Sequence, residues 1–327
     1  MAETTPLLLE KIDIPMATFT NAIDTPQGRK PQAIAHRGYK AAYPENTMGA
    51  FRGAVEVGAH AIETDIHLSK DGVVVLSHDA TLKRCFGIDR NIVDCDWGYL
   101  ETLRTLKEPQ ERMPRLKDLL EYLAKPGLGE IWVLLDIKLD NDDDVFRLMS
   151  ATLEEAKPSK AWNQRILLGI WHEKHLPFCT EFLHGFPIAY IGFSILYARQ
   201  FLKVPKVNFN MLQKIMVGPF GSAFLRDIKK ARRSIFLWTV NEESWMKWSI
   251  RKEVDGVITD DPKKFLEVCD SYQGEEVHFP FSAWIVIFLM NIAALVAGFI
   301  VRWRFSYKIK DATAAKRIGS LGLRAPE

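Results

Sequence analysis

The sequence has no Cys-x-x-Cys pair, and its four cysteines (85, 95, 179 and 269) are scattered over 327 residues. That scatter excludes a zinc ribbon or a disulfide framework, and reduced thiols in a cytosolic compartment are expected. No Asn-x-Ser/Thr acceptor occurs, which suits a chain kept out of the secretory lumen. A strong charge of one sign is also missing: 43 Lys and Arg stand against 41 Asp and Glu. Affinity for nucleic acid through bulk basic charge is thereby excluded. No Gly-x-Gly-x-x-Gly opens a helix and no P-loop is present, so a nucleotide-binding open sheet has no support. The run His172-Glu173-Lys174-His175 is one residue short of the His-Glu-x-x-His spacing. It is expected to be a surface or loop cluster. The first ten residues hold a short apolar run at 7–9 with no basic residue ahead of it, so no secretory signal is expected there.

Long apolar runs are absent too, with one exception. Residues 281–301 carry no charge and a single Asn, Asn291. At 1.5 Å per residue such a helix spans about 30 Å, the thickness of a bilayer core. Trp284 and Trp303 would sit near its two interfaces. Ala294 and Gly298 form a small-xxx-small pair, the pattern of a weak helix–helix dimer. The segment is expected to be a single-pass C-terminal anchor. Behind it, residues 302–327 hold seven Lys and Arg against two acids, while the rest of the chain carries 36 against 39. A basic tail argues for a cytosolic C-terminus. The late position of the span, the free thiols and the missing acceptor sites argue instead for a cytosol-facing globular part. The second reading is preferred, on an intracellular organelle such as the endoplasmic reticulum, a mitochondrion or a lipid droplet.

Ahead of the anchor, residues 1–31 read as a flexible extension ending in a polar linker at 24–31. From about 32 to 270 the rhythm changes. Apolar, β-prone runs recur at 33–35, 61–68, 73–76, 131–137, 166–170, 188–193, 235–240 and 256–259. Helix-like segments lie between most of them. Phe51, Ala54 and Val55 mark one, and Leu116, Leu119, Leu120 and Leu123 mark another. Strands alternating with helices over about 240 residues predict an α/β fold, a (β/α)₈ TIM barrel with a small insertion after strand 2.

The predicted strand ends carry polar residues, and in such a barrel these ends face the active site. Glu63 and Asp65 lie two apart on a strand that is otherwise apolar, so both point to one face. Like charges on one face repel unless a cation lies between them. With Asp136 they form an oxygen-only set suited to Mg²⁺ or Ca²⁺; acids on a solvent-facing edge strand are the alternative. His36 and His78 each follow an apolar segment. They are either satisfied buried histidines or an acid–base pair. Arg37 and Lys138 add cations for a phosphate. Trp245 and Trp248, three apart on a helix, suit packing or membrane contact. The acidic run 141–144 suits a solvated helix start.

These residues resemble an ordered family signature. His36-Arg37-Gly38, Pro44-Glu45-Asn46-Thr47, Glu63-Thr64-Asp65 with Asp71-Gly72, and His78-Asp79 are similar to the glycerophosphodiester phosphodiesterases. So are Leu135-Asp136-Ile137-Lys138, Trp238-Thr239-Val240-Asn241 and the segment 256–262. The resemblance runs from about 32 to 268. It implies a TIM barrel, with Glu63, Asp65 and Asp136 as metal ligands and His36 and His78 as the acid–base pair. Arg37 and Lys138 would hold phosphate, Glu45 would support the site, and Trp238 would be either a substrate wall or a core aromatic. Asp136 stands where family members often have Glu, which makes it the least secure ligand. Within the family the resemblance is closest to the membrane-anchored phosphatidylglycerol phospholipase C branch.

The implied reaction uses a hydroxyl next to the phosphate ester as an internal nucleophile. In phosphatidylglycerol only the head group offers that hydroxyl, so its attack would release diacylglycerol and leave glycerol phosphate. The expected partners are thus a glycerophospholipid and the bilayer. The rival readings are an enzyme of soluble glycerophosphodiesters and a non-catalytic lipid-binding barrel. A sphingomyelinase D-like enzyme is a third, but the secretory segment and paired cysteines that would mark it are missing.

Overall fold

The computed structural model describes residues 13–298, except 27, 158, 159 and 278. Eight strands form the centre: β1 (Gln32–His36), β2 (Ala61–Leu68), β3 (Trp132–Ile137), β4 (Ile166–Ile170), β5 (Ile188–Gly192), β6 (Asn208–Leu212), β7 (Ile235–Trp238) and β8 (Gly256–Thr259). Each pairs in parallel with the next. The last closes on the first, with Ile258 opposite Ile34. One helix follows each strand: α1 (Met48–Glu56), α2 (Leu116–Leu123), α3 (Val145–Glu155), α4 (Leu176–Phe182), α5 (Ile195–Phe201), α6 (Pro219–Lys230), α7 (Glu243–Arg251) and α8 (Pro262–Ser271). The chain is a (β/α)₈ barrel, as its pattern predicts.

Local chemistry sets these elements. The Thr47 hydroxyl caps α1 by accepting from the Ala50 amide. Pro219 and Pro262 open α6 and α8, where a missing amide proton costs nothing. The Leu stripe of α2 is fully buried against the barrel. Strand β6 is absent from the runs read off the sequence, where the hairpin strand at 73–76 takes its place in the count. Its alternating Asn208 and Asn210 break the apolar run, yet both are buried.

The insertion after β2 begins with Val74–Leu76, antiparallel to the end of β2. It has its own small core of Val75, Leu82, Ile92, Leu100 and Met113, among others. The described part of the N-terminal segment differs from the flexible extension expected. Residues 13–26 and 28–31 carry a hairpin (Ile23–Thr25 with Gly28–Lys30). They seal the N-terminal end of the barrel. Phe19 meets Trp132 edge-on at 5.7 Å, and the Gln32 amide donates to the Phe19 and Asn21 carbonyls. The apolar end of the barrel needs a cover, and this segment supplies it. Residues 1–12 lie outside the described residues.

The helix Phe281–Gly298 has a mean hydropathy of 2.1 and is apolar and long enough to cross a membrane. It lies against the loops that follow β5 and β6. Ile287 is buried there and Ala294 packs on the core. Gly298 sits so close to Ser194 that a Cβ would collide with the hydroxyl. The Ala294/Gly298 pair, which the pattern offers to a partner helix, therefore faces the barrel. Most of the other apolar side chains of the helix are exposed. Residues 299–301, Trp303 and the basic tail lie outside the described residues. Trp245 and Trp248 are buried, and Trp245 stacks on Phe279 at 3.7 Å; their role is packing.

The 172–175 cluster is a short 3₁₀ turn (Glu173–His175) leading into α4, and its histidines are not on the surface. His172 and His175 are both 2% exposed. Burial, with Lys174 adding to it, lowers each imidazole to about 4. An unfolded chain takes up these protons near pH 6.5, before the folded chain does. Stability from each His is therefore full above that pH and is lost as pH falls toward 4, by an order of 2–3 kcal/mol each. We expect His175→Phe to flatten this slope, because Phe146 and Phe178 already stack beside it. The gap in melting temperature between wild type and variant should change by several degrees between pH 7 and 4.5. A constant gap would remove His175 from the account.

Candidate active site

The C-terminal strand ends converge on one cavity of about 70 Å³. Two halves of different chemistry line it. Strands β1–β3 and the insertion supply His36, Arg37, Glu63, Asp65, His78, Asp136 and Lys138. Strands β4–β8 supply Trp171, Ile191, Asn210, Trp238 and Ile258. One side is thus charged and the other mainly aromatic and apolar.

Register builds the acidic centre. Glu63 and Asp65 project from one face of β2, and Asp65 lies directly opposite Asp136 of β3. Their carboxylate oxygens lie within 4.8 Å of one another. All three residues are buried. The Lys138 ammonium bridges Asp65 and Asp136 at 2.6 Å each. Trp171 donates its indole N–H to the second Asp136 oxygen at 2.6 Å. The Arg37 backbone amide donates to Glu63 at 3.0 Å. Arg37 reaches that position through a left-handed backbone (φ 56°), an uncommon one for a residue with a side chain. Gly38 follows because its own φ of 80° and the Ala50 backbone leave no room for a Cβ.

Burial raises the Glu63 carboxyl well above its usual range, and the Asp65 and Asp136 charges add to this. Burial also raises Asp136, despite Lys138. Burial opposes ionisation of Asp65 as well, but Lys138 and Arg37 overcome it and hold that group far down. Three buried carboxyl groups facing the Lys138 ammonium and the Arg37 guanidinium, 3.4 Å from Asp65, still leave an excess of hard oxygen donors over cations. A divalent oxygen-seeking cation fits that set.

Each histidine is oriented by a carboxylate. The His36 Nδ1 lies 2.6 Å from Asp260. The His78 Nδ1 lies 2.7 Å from Asp79. In both, Nε2 is the nitrogen left for chemistry. Burial lowers His36, against the pull of Asp260. A further chain runs outside the cavity: Arg37 pairs with Glu45 at 2.7 Å, Arg84 holds Glu45 through two bonds, and Arg84 pairs with Asp79 at 2.6 Å. Burial works against the Glu45 charge, but Arg84 and Arg37 win and bring its carboxyl to about 2. Trp238 lies on the cavity wall, edge-on to Trp171 at 5.8 Å.

Of the site residues expected from the sequence, His36, Arg37, Glu63, Asp65, His78, Asp136, Lys138 and Trp238 line this cavity, and Glu45 lies behind Arg37. Six others carry roles that the sequence pattern does not assign. Asn46 donates to Asp65 at 2.8 Å and accepts from Thr64. Asp79 and Asp260 orient the histidines, Arg84 ties the insertion to the site, and Trp171 holds Asp136. Asn210 presents a buried amide oxygen that lacks a hydrogen-bond partner. Asn46, Asp79 and Asp260 belong to the family motifs; Arg84, Trp171 and Asn210 have no signal of their own.

The arrangement can hold a phosphate, a cation and a proton donor–acceptor pair, the equipment of phosphodiester cleavage. A family model, the glycerophosphoryl diester phosphodiesterase family, matches residues 36–264. The chain belongs to the glycerophosphoryl diester phosphodiesterase family. A glycerophosphodiester phosphodiesterase of Caldanaerobacter subterraneus is 26% identical over 251 residues, 73% of this chain and 98% of that protein. Human lysophospholipase D GDPD1 is 26% identical over 288 residues, 73% and 86% of the two chains. The glycerophosphodiester phosphodiesterase of Thermotoga maritima superposes with a TM-score of 0.59 at 28% identity, over 72% of this chain and 98% of that one. An Oleispira antarctica phosphodiesterase, solved with the product sn-glycerol-3-phosphate, shares the fold at a TM-score of 0.65 and 23% identity, over 74% and 97%. This member of the family is accordingly an enzyme that hydrolyses phosphodiester bonds. Such enzymes typically depend on a divalent metal, and the acidic triad could hold one.

Proposed function

We propose that the enzyme is a phosphatidylglycerol phospholipase C. The observation that carries the reading is the two-sided cavity: phosphate-binding charge on β1–β3 faces an aromatic wall, in a chain that also carries a long apolar helix. A cavity of about 70 Å³ admits a phosphate and little of a lipid's apolar part. Glu63, Asp65 and Asp136 would hold Mg²⁺ or Ca²⁺, and the bound ion supplies charge stabilisation for the phosphate and the attacking hydroxyl.

The chain's own groups then divide the work. Arg37 and Lys138 bind and orient the phosphate oxygens. His36, kept neutral by burial, takes the proton of the head-group 2′-hydroxyl through Nε2. The 2′-oxygen forms a bond to phosphorus as the bond to the diacylglycerol oxygen breaks. His78 gives that leaving oxygen a proton. Water then opens the cyclic glycerol phosphate, with the two imidazoles returning the protons in reverse roles. Trp238 and Trp171 turn the apolar side of the leaving group away from the charged half.

This route ties the product to the place of the free hydroxyl. Phosphatidylcholine has none beside its phosphate and should be inert. A lysophospholipid has one on its acylated glycerol and would lose its head group instead, in line with the lysophospholipase D named among the relatives. Water-soluble glycerophosphodiesters satisfy the same rule and remain the second reading. The direct test uses phosphatidyl-1,3-propanediol, which lacks the 2′-hydroxyl. Its turnover should fall below about one-thousandth of that of phosphatidylglycerol, given what an attached nucleophile contributes. Sustained hydrolysis would sink the internal nucleophile.

We further infer that residues 281–301 anchor the enzyme in a membrane with the barrel facing the cytosol. The free cysteines, three of the four buried, support this side. The anchor raises the local concentration of lipid substrate. A protease-protection assay on organelles checks the orientation: the barrel should be digested while the membrane is intact.

A further inference from the structure

A second cavity, of about 490 Å³, lies between the helix Phe281–Gly298 and the barrel. We propose that it is a groove for an acyl chain of a membrane glycerophospholipid whose head group occupies the catalytic cavity. The inference rests on the lipid-substrate reading above and adds where the apolar part of the substrate goes.

Three observations carry it. The two cavities open from the same strands. Ile191 of β5 lines the catalytic cavity, and Phe193, two residues on, lines the groove. Asn210 of β6 lines the first, and Ile215 in the loop after β6 lines the second. The two cavities share no lining residue, but the groove lies next to the apolar half of the active site, not the charged half. Its chemistry is that of a hydrocarbon: Leu196 is 41% exposed and Phe220 is 78% exposed at its edge. Of the polar groups on its lining, the Asn291 amide already donates to the Ile287 carbonyl at 2.8 Å and Arg199 is paired with Asp227 at 2.8 Å. Finally, one wall is the only segment among the described residues apolar and long enough to cross a bilayer. A chain leaving the bilayer along that helix would enter the groove without passing through water. The size lies in the range of small-ligand cavities, whereas the catalytic cavity is several times too small for a lipid tail.

The test uses the full chain carrying His36→Ala, reconstituted in nanodiscs of phosphatidylcholine with phosphatidylglycerol bearing a diazirine on its acyl chain. After photolysis, adducts are mapped by mass spectrometry. The helix and the exposed loop residues Phe193, Leu196 and Phe220 meet bulk lipid and are labelled in any case, so the informative sites are the buried loop residues that line the groove, Ser194, Ile215 and Val217. We expect adducts there, reduced at least fivefold by Leu196→Trp, which fills the groove, and reduced by Phe220→Ser as the milder variant. In the otherwise unaltered enzyme, Leu196→Trp should lower the ratio of long-chain phosphatidylglycerol turnover to glycerophosphoglycerol turnover about tenfold. Adducts confined to the helix and the exposed loop residues would overturn the groove, as would a groove covered by a second copy, seen as unlabelled buried loop residues in a cross-linked dimer. Labelling needs no turnover. Adducts at the buried loop residues of a protein that does not cleave phosphatidylglycerol would keep the groove and remove the proposed reaction; cleavage with those residues unlabelled would do the reverse.

Discussion

Replacing His36 or His78 with Ala should lower kcat by about 10²–10⁴ while leaving the fold in place. Neither ring supports the core. His36 ends β1 and lines the cavity with 12% of its side chain exposed, and the His78 side chain is 36% exposed. The double variant should lose less than the product of the two single effects, because both imidazoles act in one step. Asp260→Asn separates positioning from chemistry. Asp260 accepts from His36 Nδ1, and an amide there favours the tautomer with its proton on Nε2, the wrong form for a base. We expect kcat to fall by up to about 10⁴ with KM little changed, and the acidic limb of the pH–rate profile to move. A loss confined to KM, with the profile unmoved, would make Asp260 a purely structural residue.

The second large effect is at Lys138. Its ammonium lies between two buried carboxylates, 2.6 Å from each. Asp136 and Asp65 in turn hold its own pKa above the ordinary lysine value, against the cost of burial. Lys138→Met keeps most of the volume and strands three buried carboxylates with Arg37 alone. Removing one member of such a set costs about 3–5 kcal/mol. For a barrel of this size that is a fall in melting temperature of roughly 6–20 °C. Millimolar Mg²⁺ or Ca²⁺ should recover part of the loss, more than it stabilises wild type, because the cation replaces the missing charge. Activity should stay low even with the metal, since the phosphate has lost a ligand. An equal effect of cation on both proteins would place the metal elsewhere than at Glu63, Asp65 and Asp136.

The sequence is readable where local chemistry and barrel geometry agree. Acids two apart in an apolar strand, and histidines at strand ends, are conspicuous because a plain core has no use for them. Glu63, Asp65 and Asp136 therefore stand out by their pattern, while the choice between a metal site and an outward-facing edge comes from the family resemblance. Strand β6 escapes notice for the opposite reason. Asn208 binds the Ser234 amide and Asn210 faces the cavity, so function has removed the apolar run that marks a strand. The Asp260 partnership with His36 spans 224 positions and exists only because β8 closes on β1. Arg84 reaches Glu45 across an insertion whose path has no periodic signature. The N-terminal plug is hidden because Ile14, Ala17 and Phe19 lie in a short segment with no long helix or strand of its own, and only the open end of the barrel creates the demand for them.

The claim that the head-group hydroxyl is the nucleophile fixes which side of phosphorus is cut. The decisive measurement is product analysis, by thin-layer chromatography and mass spectrometry, of the purified full chain with phosphatidylglycerol in mixed micelles and Mg²⁺ or Ca²⁺. Diacylglycerol and glycerol phosphate are expected in equal amounts, absent with chelator and lowered at least about a hundredfold with His36→Ala. Phosphatidic acid and glycerol would contradict the claim, because that cut leaves the head-group hydroxyl on the departing side.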